Sequence, residues 1–373
     1  MKFLLIYVPN LRFTNNQLKD FKIVDICKLK QGNQYDLKQQ FTEEKPDLKR
    51  FIRIVDYTQK TNDIRYVYSN GSENYVDCTD VVVVRYGASA GYVGRGINGI
   101  IANNLFTIRP INSALLNKSY LYHYLNAPVI QKQLNNTQSS GMPALNFQTI
   151  NNLHILLPEY QEQRQIAVFL DKIDERIQTQ IKIIDDYNSL KMGIYNCMFK
   201  ENYADYKLKQ LAYIVKGDQI NNDQLLSNGS YYMMNGGTSP SGYLDSYNVS
   251  ENTISISEGG NSCGYVQFNS SPFWSGGHCY TIQNVNSALI ENKYLYHYLK
   301  YKEKEMMNLR IGTGLPNIQK KDLENFTILV PSLLIQRKNL ALFEMLDEKI
   351  SILTEELTNL QKQKKYLLCN MFI

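Results

Sequence analysis

Several things are scarce in this 373-residue chain, and each absence narrows its function. There is one tryptophan, four histidines and six cysteines, and no two cysteines stand at CxxC spacing. Cys27, Cys78, Cys197, Cys263, Cys279 and Cys369 therefore read as reduced thiols, without a zinc ligand set. His278 beside Cys279 is the one close His/Cys pair, and a lone pair is no metal site. No apolar stretch approaches the roughly 20 residues of a membrane span. The apolar run FLLIY near the start is too short for the core of a secretory signal, so a cytoplasmic protein with no membrane partner is expected.

The motifs of catalysis are missing too. A GxxxxGK[ST] phosphate loop is absent, as are HExxH and GxSxG. The glycines of GASAGYVGRG (87–96) fall between two strand-like runs, which makes them turn formers instead of a dinucleotide loop. No two prolines are adjacent, which excludes the Asn-Pro-Pro-aromatic loop of amino-methyltransferases. Carboxylate pairs such as Asp174-Glu175 and Asp347-Glu348 read as solvated helix faces before they read as acid/base pairs.

What is present is a duplication. PEYQEQRQIAVFLDKIDERI begins at Pro158, and PSLLIQRKNLALFEMLDEKI begins 173 residues later at Pro331; both segments run on to Met-Phe. Stepping by four and three from Ile166 or from Asn339 meets apolar or aromatic side chains at eight positions of ten, a heptad seam. The two helices are expected to pair with each other, antiparallel because a globular domain lies between them. Lys191 and Lys364 occupy the same seam position and are expected to help fix register. About 38 helical residues would extend on the order of 57 Å.

The domains before the helices repeat as well. NSALLNKSYLYHYL (112–125) parallels NSALIENKYLYHYL (286–299), and each predicts a short amphipathic helix. His123 and His297 lie in it and read as packed structural histidines. TDVVVVRYG (79–87) and NTISISEGG (252–260) read as buried strands, and RFIRIVDYT (50–58) as a half-buried one. Turns at SSGMPALNF (139–147) and GTGLPNI (312–318) lead into exit strands LHILLP and FTILVP. The expected fold is α+β and pseudo-two-fold: domains at 1–157 and 201–330, and long antiparallel coiled-coil helices at 158–200 and 331–373. Residues 1–157 hold 18 Lys/Arg against 11 Asp/Glu, a surface suited to phosphates, whereas residues 201–331 hold 10 against 12.

These residues carry a resemblance. The YLYHYL helix, the Ile-x-x-Pro exit and the Pro-x4-Gln-Arg opening of a helix with (Ile/Leu)-Asp-Glu-(Arg/Lys)-Ile resemble, in both copies and in order, the specificity subunit of type I restriction-modification systems. IRIVDYT (52–58) also resembles the family's early strand. The resemblance implies two target-recognition domains, each reading half of a split double-stranded DNA target, on helices that set the unread spacer. It implies docking of two modification (methyltransferase) subunits, and restriction/translocase subunits beside them. It places S-adenosylmethionine, ATP and Mg on those partners, with no cofactor bound by this chain and no catalysis of its own. A type IIB-like specificity subunit, or a coiled-coil scaffold with domains for other ligands, is the alternative reading.

Base reading needs side chains that donate and accept at a groove edge. By residue type and place on the strands and links, the candidates are Arg53, Arg85, Arg95 and Asn104 in the first domain. Asn235, Ser257, Asn261 and His278 hold comparable places in the second. Lys216, Lys320 and Lys321 suit phosphates. Gln163, Arg164, Gln336 and Arg337 are the candidates for subunit docking.

Overall fold

The computed structural model describes residues 18–59, 61–135, 143–199, 203–312 and 316–372. The FLLIY run and the polar start at 14–17 lie outside them, as do turn residues 139–142 and 313–315 of the two Gly/Pro segments. Two compact units divide the chain, one made of residues 1–181 with 355–373 and the other of residues 182–354. The division thus cuts both long helices instead of falling at the domain–helix junctions.

In the first unit, antiparallel pairing of Lys19–Lys22 with His154–Leu157 brings domain entry and exit together. A four-stranded antiparallel sheet follows in the order Cys27–Gln31, Leu105–Pro110, Val81–Val84, Val93–Gly94. The four valines are all buried, as a run without polar alternation requires. A second, mixed sheet is ordered Arg65–Tyr68, Leu48–Ile52, Gly99–Ile101, Tyr75–Val76. The expected strand at 50–58 stops at Ile52, and Ile54–Thr58 is a short helix. Its cause is Asp56, whose carboxylate accepts the Arg53 N–H at 2.8 Å and closes the chain into a turn.

The second unit repeats this plan. Ala204–Lys207 pairs with Thr327–Val330, and a four-stranded antiparallel sheet runs Tyr213–Lys216, Cys279–Gln283, Thr253–Ser257, Val266–Asn269. A three-stranded sheet is ordered Gly242–Leu244, Tyr231–Met234, Trp274–Ser275. The YLYHYL helices are Lys118–Leu125 and Asn292–Tyr301; the Asn117 side chain caps the first by accepting the Ser119 and Tyr120 N–H groups.

The long helices are Tyr160–Met198 and Leu333–Met371. Within the first unit, the start of one packs with the end of the other: Ile166, Leu170 and Leu368 share a core, and Phe372 lies edge-on to Tyr120 at 5.3 Å. Lys364 bonds Asp174, while Gln180 donates to Glu356 at 3.0 Å; rising numbers on one helix meet falling numbers on its mate, so the pair is antiparallel. The second unit mirrors this, with Lys191 bonded to Asp347 and Tyr195 against Phe343 at 4.8 Å. Each seam lysine thus meets an aspartate of the other helix, at the position where a register contact is expected. They also correct the reading of the carboxylate pairs, since Asp174 and Asp347 face the seam while Glu175 stays exposed.

Candidate nucleic-acid interface

In each unit three backbone segments converge at one end of the four-stranded sheet. The entry strand reaches a glycine there, Gly32 or Gly217. A Cβ on Gly32 would sit 2.2 Å from the Ala102 carbonyl oxygen, and one on Gly217 would sit 2.3 Å from that of Ser275. Only glycine allows this backbone approach. The central strand is tied to the same loop, for Arg85 N–H donates to Asn104 O and Glu258 N–H donates to His278 O, both at 2.9 Å. The exit turn docks from the other side, through Leu145 N–H to Arg85 O at 2.8 Å and Ile318 N–H to Glu258 O at 2.9 Å.

On this shared frame the side chains differ. In the first unit, Arg85 Nη1 donates to Gln31 Oε1 at 2.9 Å and its guanidinium lies over Phe147, 4.3 Å from the ring centre. Gln31 Nε2 donates to Asn103 O at 2.6 Å, and Asn103 Nδ2 to Gln34 Oε1 at 3.1 Å. Half-buried Asn104 holds a buried Oδ1 with no partner. In the second unit, Lys216 Nζ donates to Glu258 Oε1 at 2.7 Å, Tyr280 Oη donates to the same oxygen at 3.0 Å, and His278 Nδ1 lies 3.6 Å from Glu258 Oε2. Burial and the Glu258 charge push the Tyr280 phenol up, so it stays a donor. Asn235 Oδ1 accepts the His278 N–H at 3.0 Å, and Asn261 is exposed in the neighbouring turn Gly260–Ser262.

The structure therefore gathers Arg85 with Asn104, and Lys216 with Asn235, Asn261 and His278. Lys320 and Lys321 are exposed on the helix Lys320–Glu324. Three expected base readers need correcting, because their polar groups are engaged inside their own unit. Arg53 is held by Asp56 and Asp63, the latter at 3.1 Å. Arg95 lies over the Tyr122 ring and bonds Asp171 at 2.5 Å and Ser119. Ser257 is 4% exposed and donates to Gly236 O at 2.7 Å. Sequence reading missed Gln31, Gln34, Asn103 and Glu258. The signal was there in the unlike residues, Gln31 and Lys216, before the two matched glycines. A groove lined by Lys45, Lys49 and Arg50 beside Tyr66 and Tyr75 adds basic surface to the first unit.

The docking glutamines also need correcting. Gln163 and Gln336 are 1% and 0% exposed. Gln163 Oε1 accepts the Asn117 N–H at 3.0 Å, and its Nε2 donates to Leu115 O and Pro158 O, each at 3.0 Å. Gln336 repeats the pattern with Glu291 N–H, Leu289 O and Pro331 O at 2.8, 2.9 and 2.8 Å. Each clamps the YLYHYL helix to the start of a long helix, so neither has an atom to offer a partner. Arg164 and Arg337 are exposed, the second bonded to Glu291 at 2.8 Å. Near them the helix surfaces bear exposed Tyr160, Val168 and Phe169, and exposed Leu334 and Met345.

His123 and His297 are buried structural residues, as expected. His123 Nε2 bonds Asp171 at 2.8 Å, and His297 Nδ1 meets the Tyr195 hydroxyl at 2.7 Å. Burial, with the charges of Lys191 and Lys293, pushes His297 down to about 3, so the ring is neutral at pH 7. Burial works against ionised Asp171, but hydrogen bonds from His123, Arg95 and Ser119 outweigh it and hold the carboxyl well below its usual range. Ser119 Oγ bonds the carboxylate and not the imidazole, which is the wiring of a brace, not of a nucleophile and its base. Burial raises the Cys27 thiol to about 12. Among the described residues no group of three His, Cys, Asp or Glu is placed to hold a metal ion. No described helix is long and apolar enough to cross a membrane.

One scaffold built twice, with unlike polar clusters at the same place, defines a duplicated two-site protein. The chain belongs to the family of the type I restriction modification DNA specificity domain, which it matches over residues 15–185 and 200–362. It is 33% identical over 155 residues to a type I specificity subunit of Mycoplasma pneumoniae, a match covering 41% of each chain. That match spans less than half of the mycoplasma protein. The MjaVIII specificity subunit of Methanocaldococcus jannaschii is 23% identical over 352 residues, 82% of this chain and 80% of that one. The fold is that of the crystal structure of a type I S subunit from M. genitalium, with TM-score 0.66 at 19% identity, covering 96% of this chain and 97% of that one.

Proposed function

We propose that this chain is the targeting subunit of a type I restriction-modification complex and performs no chemistry itself. Each unit reads one half of a split double-stranded DNA target, and the unread bases between the halves are set by the long helices. The observation that carries this reading is the pair of equivalent clusters, Gln31/Arg85/Asn104 and Lys216/Glu258/His278, on one duplicated scaffold. Exposed donors and acceptors on a rigid frame are what groove recognition needs. Lys45, Lys49, Lys320 and Lys321 supply phosphate contacts that orient the domains without reading sequence.

Two methyltransferase subunits dock on the exposed apolar strips near Arg164 and Arg337, and a nuclease/translocase subunit joins that assembly in the cytoplasm. S-adenosylmethionine, and ATP with Mg, belong to those partners. The test is reconstitution of the full chain with its methyltransferase subunits. A 1:2 complex should methylate adenine in a bipartite motif. Four residues added within the 39-residue Tyr160–Met198 helix should lengthen the motif's spacer and leave both halves intact. Altered half-sites at constant spacer would overturn the ruler role.

A further inference from the structure

The duplication allows a comparison inside one molecule. Buried positions recur in both copies: Tyr120 and Tyr294 and His123 and His297 are buried at the same helix positions, and Gln163 and Gln336 make the same three hydrogen bonds. At the convergence point, matching backbone hydrogen bonds address unlike side chains. Gln31, Arg85 and Asn104 stand where Lys216, Glu258 and His278 stand. A duplicated scaffold that keeps its core and exchanges a half-buried arginine for a buried glutamate at one position arranges different hydrogen-bonding side chains around it.

We propose that Arg85 in the first unit, and Lys216 with His278 in the second, are the specificity-determining residues of the two half-sites, each contacting a guanine in the major groove. This rests on the DNA-reading function proposed above. Arg85 is fixed before DNA arrives, its plane stacked on Phe147 and one N–H held by Gln31. A fixed fork of donors matches the O6 and N7 acceptors of guanine. In the second unit Glu258 is the positioning residue. It is 8% exposed and turned inward, whereas the Lys216 and His278 side chains it steadies are 51% and 62% exposed. Lys216 presents an ammonium without a fork and His278 at most one free ring N–H, so the second guanine is read less sharply than the first.

The experiment uses the full chain assembled with its methyltransferase subunits and S-adenosylmethionine. Methylation rates are measured on duplexes in which each base pair of both half-sites is changed in turn. The wild-type complex should disfavour loss of the Arg85-read guanine by about 5- to 150-fold. Arg85→Ala should reduce that preference below about 3-fold at that pair alone, while the other half-site keeps its own. Lys216→Ala combined with His278→Ala should do the same in the opposite half-site. Arg85→Lys keeps the charge and loses the fork, so it should still relax the pair. Arg85→Gln gives a second reading of the position if the alanine variant is poorly folded, and it too should lose the preference. Retained discrimination in the alanine or glutamine variants, or equal relaxation across both half-sites, overturns the assignment. A wild-type complex that methylates no split motif would instead sink the DNA-reading function itself.

Discussion

Replacing Gln336 by alanine removes three hydrogen bonds from a place water does not reach. The side chain is 0% exposed, and its loss strands the Glu291 N–H and the carbonyls of Leu289 and Pro331. A buried polar group left without its partner costs about 1–3 kcal/mol. Three stranded groups at the low end of that range come to about 3–5 kcal/mol. With a urea dependence of about 2 kcal/mol per molar, the second unit's unfolding midpoint should fall by roughly 2 M. Circular dichroism of the full chain follows the transition, and hydrogen exchange assigns it to residues 182–354. Gln163→Ala should do the same to the first unit, where Asn117, Leu115 and Pro158 lose their partner. A midpoint shift below about 0.3 M, together with lost methyltransferase binding, would refute the clamp and restore the glutamines as docking residues.

Acid should loosen the second unit before the usual carboxylate range is reached. His297 is held at about 3 against an ordinary value of 6.5, so the unfolded chain binds a proton there that the folded chain refuses. That contribution is whole above pH 6.5 and is lost as pH falls towards 3, about 2 kcal/mol of it by pH 5. Thermal melts at pH 7.5 and 5 should show the loss, and His297→Asn should flatten it. Reversing the seam charge with Lys191→Asp sets two carboxylates together at Asp347, and adding Asp347→Lys should recover about 1 kcal/mol in a double-mutant cycle. No coupling there would mean the pair does not fix register. Val168→Asp and Met345→Asp alter exposed apolar side chains, so they should leave melting temperature unchanged and abolish methyltransferase binding in size-exclusion assays.

Much of the scaffold was legible because duplication doubles every signal. A heptad seam at the same phase in two segments pointed to a helix pair, the domain between them made it antiparallel, and Lys191 and Lys364 stood at matching seam positions. The valine run marked core because it lacks polar alternation, and the YLYHYL repeats because their apolar positions recur at helical spacing. Two kinds of reading went wrong for physical reasons. Gln163 and Gln336 recur as a docking residue would, yet recur because two loop carbonyls and a helix N-terminus need the same clamp. Arg53 and Arg95 have the right chemistry for DNA, but acidic partners distant in sequence or in the next turn hold them. Asp171 is 76 residues from Arg95, and no local pattern announces such a pair. The equivalence of Arg85 with Glu258 could be counted off, since each stands seventh in the paired segments 79–87 and 252–260. Their unlike side chains hid its meaning, because nothing in the sequence shows that Gln31 and Asn104, or Lys216 and His278, gather at that position.

The central claim is that one chain carries two independent half-site readers. Long-read methylation mapping of cells with and without the gene tests it most directly. One split motif is expected, two short half-sites around a fixed unread spacer, present with the gene and absent without it. Persistence of every bipartite mark after deletion, or loss of a mark on a single uninterrupted sequence, would contradict it.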